Sequence, residues 1–358
     1  MFNLSPSLLK TKQHFTILDG LRGVAALAIV AFHFMEVVFE FSKNILGHGF
    51  LAVDFFFCLS GFVIAYAYDD RLGKMGIMEF FKSRVIRLHP LVIFGSVLGL
   101  LSFLFDPFGG TAAQYSIGKI TLLFLTSALL IPFPTMEDRY FNNFGLNAPA
   151  WSLFWEYVAN IFYSFVLYKL SKKYLMLLAS IAAIILVSVS YHSKSLLGGW
   201  AGENFWEGGA RIFYSFLAGM VIFRCKWIIK NKLGFIGLSI LLLLAFFMPY
   251  SEYNWLTEAL VVVIYFPLLV SLGAGTIATQ GLYKLCDFSG KISYPLYMTH
   301  YMAIWIFANY YNTYKPEGLK LMLVIVAGMV ALVSMAYLTM ILFDIPVRKY
   351  LSKKRIKA

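Results

Sequence analysis

The sequence predicts an all-α protein, a polytopic membrane helix bundle of about ten transmembrane helices plus one short or re-entrant segment. Three observations carry this. Charged residues make up 13% of the chain and hydrophobic ones 60%, and that charged share is about half the usual value for a soluble domain. Apolar runs recur along the whole chain, separated by polar breaks. The basic residues gather in alternate breaks. A spanning helix needs about 20 mostly apolar residues, so 358 residues hold about ten spans and short loops. That leaves one integral-membrane domain over 1–358 and no room for a separate soluble domain of ordinary size.

The apolar runs lie at about 16–39, 49–68, 88–105, 117–132, 151–169, 174–192, 207–225, 233–249, 255–275, 291–311 and 318–345. The first carries Asp19, Arg22, His33 and Glu36, unlike the shorter, uncharged core of a cleavable signal, so it is expected to be retained as a span. Basic residues decide the sidedness, because they concentrate in cytoplasmic loops. With the N-terminus inside and 117–132 short or re-entrant, only Lys43, Lys119, Arg139, Lys194, Arg211, Lys315 and Lys320 of the 30 Lys and Arg residues fall outside. The inside receives Lys10 and Lys12, Arg71 through Arg87, Lys169 to Lys173, Arg224 to Lys232, Lys284, Lys291 and the tail from Arg348 to Lys357. Counting 117–132 as a full span would reverse this for Lys169 to Lys173 and the tail. The expectation is therefore ten spans with both termini cytoplasmic, the tail covering about 346–358.

The net charge of +12 follows this loop pattern and does not call for nucleic acid as a partner; membrane lipids are the surroundings the composition demands. Cys58, Cys225 and Cys286 form no close pair, so there is neither metal-type spacing nor a disulfide framework. No internal repeat is present, which argues against an inverted-repeat transporter plan. Gly20, Gly23, Ala25 and Ala26 in the first span permit close helix approach. Oligomeric state is left open.

Ionisable residues inside spans are costly and point to function. In LDGLRGVAALAIVAFHF, Arg22 and His33 are eleven residues apart. About 100° per residue brings them to one face, about 16 Å apart along the axis. Asp19 sits one turn before Arg22 and is placed to pair with it. Arg22 reads either as a functional group or as an anchor at the membrane interface, and His33 as a base or a helix-to-helix contact. In GFLAVDFFFCLSGFVIA, Asp54 must have a partner, structural or catalytic. Ser60 and Gly61 mark close packing or a polar contact, and no motif supports a serine nucleophile there.

The stretch FFKSRVIRLHP reads as a loop entering the next span, with Arg84 and Arg87 on one face. Paired arginines suit phosphate, although an ordinary basic cluster reads the same way. In APAWSLFWEYVANIFY, Trp151 and Trp155 stand beside Glu156 at the membrane interface, and Glu156 is expected at a depth comparable to His33. A carboxylate and a histidine within reach make a base and its orienter. In KISYPLYMTHY, His300 is expected near mid-span, with Tyr294, Tyr297 and Tyr301 at helical spacing and Pro295 loosening the backbone.

These segments, in this order, resemble the membrane acyltransferase-3 family, the integral-membrane O-acyltransferases of bacterial surface glycans. The matching pieces are LDGLRGVAALAIVAFH with R-x10-H, VDFFFCLSGF, FFKSRVIRLHP with R-x2-R, WSLFWEY and ISYPLYMTH. A closing FDIPVRKY departs from the family's usual ending by carrying Asp344 where Glu is more common. The resemblance covers nearly the whole chain. It implies transfer of an acyl group, commonly acetyl, from cytoplasmic acetyl-CoA to a hydroxyl of a glycan or lipid-linked saccharide, in the bacterial inner membrane. Acetyl-CoA is a donor substrate, and no permanently bound cofactor or metal is implied. His33 carries over as the catalytic histidine, with Arg22 as its R-x10-H partner and Arg84 and Arg87 as the loop pair; Glu156 is expected to stabilise the imidazolium. The chain is expected to be the form without an extracytoplasmic hydrolase-like domain. The alternative reading is a multi-span transporter or flippase for a small anion or lipid-linked sugar, which would turn over no coenzyme A thioester.

Overall fold

The computed structural model describes residues 14–357, with side chains to 355. Lys10, Lys12, the Lys357 side chain and Ala358 lie outside the described residues. Six helices are long and apolar enough to cross a bilayer: Thr16–Val38, Gly49–Tyr68, Ile77–Phe105, Lys172–Ser193, Asn254–Ala274 and Gly318–Arg355. They are accompanied by shorter or more polar helices that run alongside them, and no strand is present among the described residues.

In chain order the helices are α1 (Thr16–Val38), α2 (Ala52–Tyr68), the single turn α3 (Leu72–Met75), α4 (Ile77–Phe105), α5 (Ile117–Ala128), α6 (Ala150–Phe165), α7 (Lys172–Ser193) and α8 (Phe205–Cys225). They continue with α9 (Gly234–Phe246), α10 (Asn254–Leu260), α11 (Phe266–Ala274), α12 (Gln280–Thr299), α13 (Tyr301–Tyr314), α14 (Gly318–Thr339) and α15 (Ile345–Lys357). Five-residue π segments, Val261–Tyr265 and Met340–Asp344, join α10 to α11 and α14 to α15. Tyr214 donates to the Val263 carbonyl at 2.6 Å within the first of these.

Contacts at the two ends of the bundle show the direction of each pass. At one end Arg22 meets Gly290, Asp69 meets Arg224 and Tyr163, and Glu79 meets Arg355. At the other, Asp54 meets Arg211, Asp106 meets Asn309, and Ser193 meets Glu207. The chain therefore crosses with α1, α2, α4, α6, α7, α8, α9, α10–α11, α12–α13 and α14–α15, as the ten expected spans. The described chain begins and finishes at the Arg22 end.

The segment 117–132 does not cross. α5 has 12 residues, close to the length of α9, so the contacts of its two ends decide its path. Its Ser127 reaches Ser96 in the middle of α4, and residues 131–136 then return without helical structure. Lys119 donates to the Thr135 carbonyl at 3.3 Å and Tyr115 donates to Asp138, so both arms leave at the His33 end. It is a re-entrant hairpin.

Two sequence boundaries need correction. The stretch from Phe80 to Pro90 is not a loop: α4 begins at Ile77 and carries Lys82, Arg84, Arg87 and Pro90 within it. The polarity of these residues imitates a loop, but Arg84 finds a partner inside the bundle. The run 291–311 is not one straight span either. α12 begins earlier, and the helix breaks at His300, five residues after Pro295. The His300 ring caps the break by donating from Nδ1 to the Tyr297 carbonyl at 2.8 Å.

Close helix contact at α2 and α8 depends on glycine. A Cβ on Gly61 would lie 1.9 Å from the Phe216 carbonyl oxygen, and one on Gly219 would lie 2.0 Å from that of Cys58. Small residues at such crossings let membrane helices pack by van der Waals contact where no hydrophobic effect separates them from lipid. Outward faces are apolar: Ile184 on α7, Ile236 on α9 and Leu342 in the second π segment are exposed, as bilayer-facing residues should be. At the His33 end, loops 130–149 and 194–204 form a cap held by backbone hydrogen bonds, Asn143 N to Trp200 O at 2.8 Å and Gly202 N to Phe141 O at 3.1 Å.

Gly61→Val should lower stability by about 1–3 kcal/mol through overpacking. Gly73→Ala, where a Cβ meets nothing within 4 Å, should not. Thermal unfolding in detergent compares the two; equal midpoints would show that the α2–α8 contact is looser than described.

Candidate active site

A cavity of about 420 Å³ opens beneath the loop cap at the His33 end. α1 contributes His33 and Glu36, α6 contributes Trp151, α12 and α13 contribute Tyr297, Tyr301 and Trp305, and the cap contributes Arg139, Tyr140 and Trp200. His33 is the chemical centre. Its Nδ1 lies 2.5 Å from Glu36 Oε1, with side chains 15% and 22% exposed. A carboxylate only accepts, so the proton is assigned to Nδ1 and Nε2 is left with its lone pair. Tyr301 packs edge-on against the His33 ring at 4.8 Å, and His300 stacks on it at 5.3 Å and 22°.

The His300 cap assigns its proton to Nδ1 as well. Its Nε2 is buried and has no partner among the described residues. Tyr297, one turn earlier, shares a hydrogen bond of 2.9 Å with Ser152 on α6. His33, His300, Tyr297 and Trp151 are thus brought together, as four of the expected site residues.

Asp54 finds the arginine that its burial requires. Arg211 donates to it from Nη2 at 2.6 Å and from Nε at 3.1 Å, with side chains 1% and 0% exposed. Further donors go to the Gly198 carbonyl at 2.8 Å and the Phe50 carbonyl at 3.3 Å. The guanidinium also lies over the Trp151 ring, 5.2 Å from its centroid. This pair stands in the wall of the cavity, and its valences are filled by protein.

The remaining candidates form a second group toward the other end. Arg22 donates from Nε to Ser293 at 2.9 Å and from Nη2 to the Gly290 carbonyl at 2.5 Å, with Asp19 at 3.1 Å. Arg84 donates to Glu156 at 2.6 Å, and Ser60 donates to the same oxygen at 2.9 Å. Arg87 is within electrostatic reach of Arg22, Arg84 and Arg348, and of the Glu156 and Asp344 carboxylates. It makes no ion pair among the described residues, and it is exposed. An uncommitted guanidinium beside three others suits a polyanion.

Glu156 is therefore not the carboxylate of His33. It faces Arg84, whose burial would otherwise leave a lone charge, and Glu36 takes the place beside the histidine. The i,i+3 spacing of His33 and Glu36 is the sequence signal for this pair. Trp151 and Trp155 are buried in the protein instead of anchoring at a lipid interface, because the cap encloses the start of α6.

Arg139, assigned by sequence only to the outer surplus of charge, is 5% exposed. Its guanidinium lies 4.2 Å from the Trp305 ring centroid and 5.4 Å from that of Phe103. Burial lowers its pKa to about 10, opposed by Asp138 and Asp106, so it is charged at neutral pH. No local pattern marks it; the folded cap brings it to the cavity.

An acyltransferase domain family matches residues 15–341. Protein 2 in picA locus of Rhizobium radiobacter is 33% identical over 187 residues, which are 49% of this chain and 94% of that protein. O-acetyltransferase OatA of Staphylococcus aureus (strain NCTC 8325 / PS 47) is 24% identical over 361 residues, 93% of this chain and 57% of that protein. The chain thus spans a little over half the length of OatA. No solved structure matches.

Asp54→Asn should cost about 3–5 kcal/mol by stranding the Arg211 charge, and Asp54→Leu with Arg211→Met should recover most of it. Thermal unfolding in detergent reads both; an unchanged midpoint for Asp54→Asn would contradict the pairing.

Proposed function

This chain belongs to the acyltransferase-3 family, and on that premise we propose that it moves an acetyl group from acetyl-CoA to a hydroxyl of an envelope glycan or lipid-linked saccharide. The observation that carries the proposal is the His33–Glu36 pair facing an aromatic-lined cavity, on the same helix that holds Arg22 about three turns away. By the positive-inside rule, the Arg22 end is the cytoplasmic one, with both termini there and the protein in a bacterial inner membrane. Coenzyme A phosphates then meet Arg22, Arg84 and Arg87 at the side where the donor is made. The roughly 16 Å along α1 is the span its pantetheine arm must cover to bring the thioester to His33.

At the cavity, His33 Nε2 accepts the proton of the acceptor hydroxyl as that oxygen attacks the thioester carbonyl. The new C–O bond forms a tetrahedral intermediate. Its collapse breaks the C–S bond, and the departing sulfur takes the proton back from the imidazolium. Glu36 holds Nδ1–H throughout, which fixes the tautomer and stabilises the imidazolium charge. The aromatic lining of Trp151, Trp200, Tyr140 and Trp305 suits the C–H side of a sugar ring, which supports a saccharide over a smaller acceptor. His300 stacks on the His33 ring and Tyr297 packs against His300, and Asp54 with Arg211 fixes the cavity wall.

His33→Ala should lower acetyl-CoA-dependent transfer to an envelope glycan by about 10²–10⁴-fold. Glu36→Gln should lower kcat by about 10²-fold with little change in donor KM. Steady-state kinetics in detergent, following thioester loss and acetyl-glycan formation, checks both. Equal turnover in the wild type and His33→Ala would remove the reading.

A further inference from the structure

A second cavity, of about 470 Å³, adjoins the first at the His33 end. It is lined by Gln114, Asp138 and Asn309 among others, and it shares Arg139, Tyr140 and Trp305 with the first cavity. Arg139 thus stands at the junction. Its side chain is 6% exposed, its nearest carboxylate oxygen is Asp138 Oδ2 at 4.0 Å from Nε, and it donates no side-chain hydrogen bond within the described protein. A guanidinium has five N–H donors, and none of the Arg139 nitrogens is among the sealed-off partnerless atoms, so they are open to a ligand in the cavities that Arg139 lines. Arg211, equally buried, shows how this chain satisfies such a group when the group is structural.

We infer that the two cavities are adjacent sugar subsites, and that Arg139 anchors the acceptor by donating to oxygens of the unit next to the one acetylated. The inference rests on the saccharide acceptor of the proposed function and extends it: the acceptor is an oligosaccharide of at least two units. The anchored unit is an uncharged, hydroxyl-rich sugar. The Asp138 and Asp106 carboxylates already balance the Arg139 charge, and Glu36 faces the first cavity, so a further carboxylate or phosphate would be repelled. Hydroxyls both donate and accept, which suits a lining of guanidinium, carboxylate and amide. Tyr115 engages one oxygen of Asp138, and Asn309 one oxygen of Asp106, and the second oxygen of Asp138 remains for a sugar hydroxyl.

The test is acetyl transfer in detergent to mono-, di-, tri- and tetrasaccharide fragments of the native envelope polysaccharide. The wild type should gain about tenfold or more in kcat/KM between one unit and two, the equivalent of one well-made set of hydrogen bonds. In Arg139→Gln that gain should vanish, chiefly through KM. Gln114→Ala, an exposed change in the second cavity alone, should reduce the gain severalfold and guards against misfolding of the Arg139 variant. Transfer with no length dependence, or a full gain retained in Arg139→Gln, overturns the two-subsite inference and leaves the acetyltransferase intact. Transfer to no fragment and not to the intact polysaccharide, with thioester loss only to water, overturns the saccharide reading beneath it.

Discussion

An ionised side chain inside a bilayer persists only where an opposite charge or a set of hydrogen bonds holds it, and that requirement organises this molecule. Asp54 with Arg211 and Asp69 with Arg224 lie near the two ends of the α2–α8 pair. They set the rotation and register of two helices whose glycines allow backbone contact. Arg84 with Glu156 ties α4 to α6, and Ser60 extends the tie to α2. Among the groups that these pairs leave uncommitted, three bear on the cavities and on the arginine group: Nε2 of His33, the Arg87 guanidinium and the Arg139 guanidinium. The first faces the cavity where a hydroxyl would be deprotonated, the second lies among other arginines, and the third joins two cavities. The distinction between scaffold and chemistry follows from which valences the fold fills.

Much of this was legible in the sequence. The count of spans followed from apolar length, and the sidedness of basic residues identified 117–132 as the segment that turns back. A buried Asp54 demanded an arginine, but only the fold says that it is Arg211, 157 positions along the chain. Depth in a membrane is readable from position along a helix, whereas azimuth depends on the neighbours. This is why Glu156, at a suitable depth, was matched to His33 but faces Arg84 instead. The carboxylate that meets His33 lies one turn away on the same helix, where periodicity alone places it. The start of α4 read as a loop because its lysines and arginines are polar, yet the helix continues through them and carries Arg84 inside against Glu156 of α6. Arg139 was invisible, since nothing local distinguishes an arginine in a folded cap from one on a solvated loop.

The same arrangement separates donor from acceptor. An arginine group at one end and a histidine–carboxylate pair at the other are linked by one continuous helix, α1, without a break or π segment between Arg22 and His33. On the proposed function, the donor's charged part would lie in one half of the bilayer and its reacting thioester in the other. Acceptor sugars would then stay at the His33 end, and only the acyl-bearing arm of the donor would reach it. The loop cap, held by backbone hydrogen bonds between residues 133–143 and 200–202, shapes the acceptor side independently of the helices that hold the donor.

The most direct measurement is a structure of the protein with a non-hydrolysable acetyl-CoA analogue. The account predicts the phosphates among Arg22, Arg84 and Arg87, the arm running along α1, and the acyl carbonyl beside His33 Nε2. Phosphates bound at the His33 end, or an acyl carbonyl remote from His33, would contradict it.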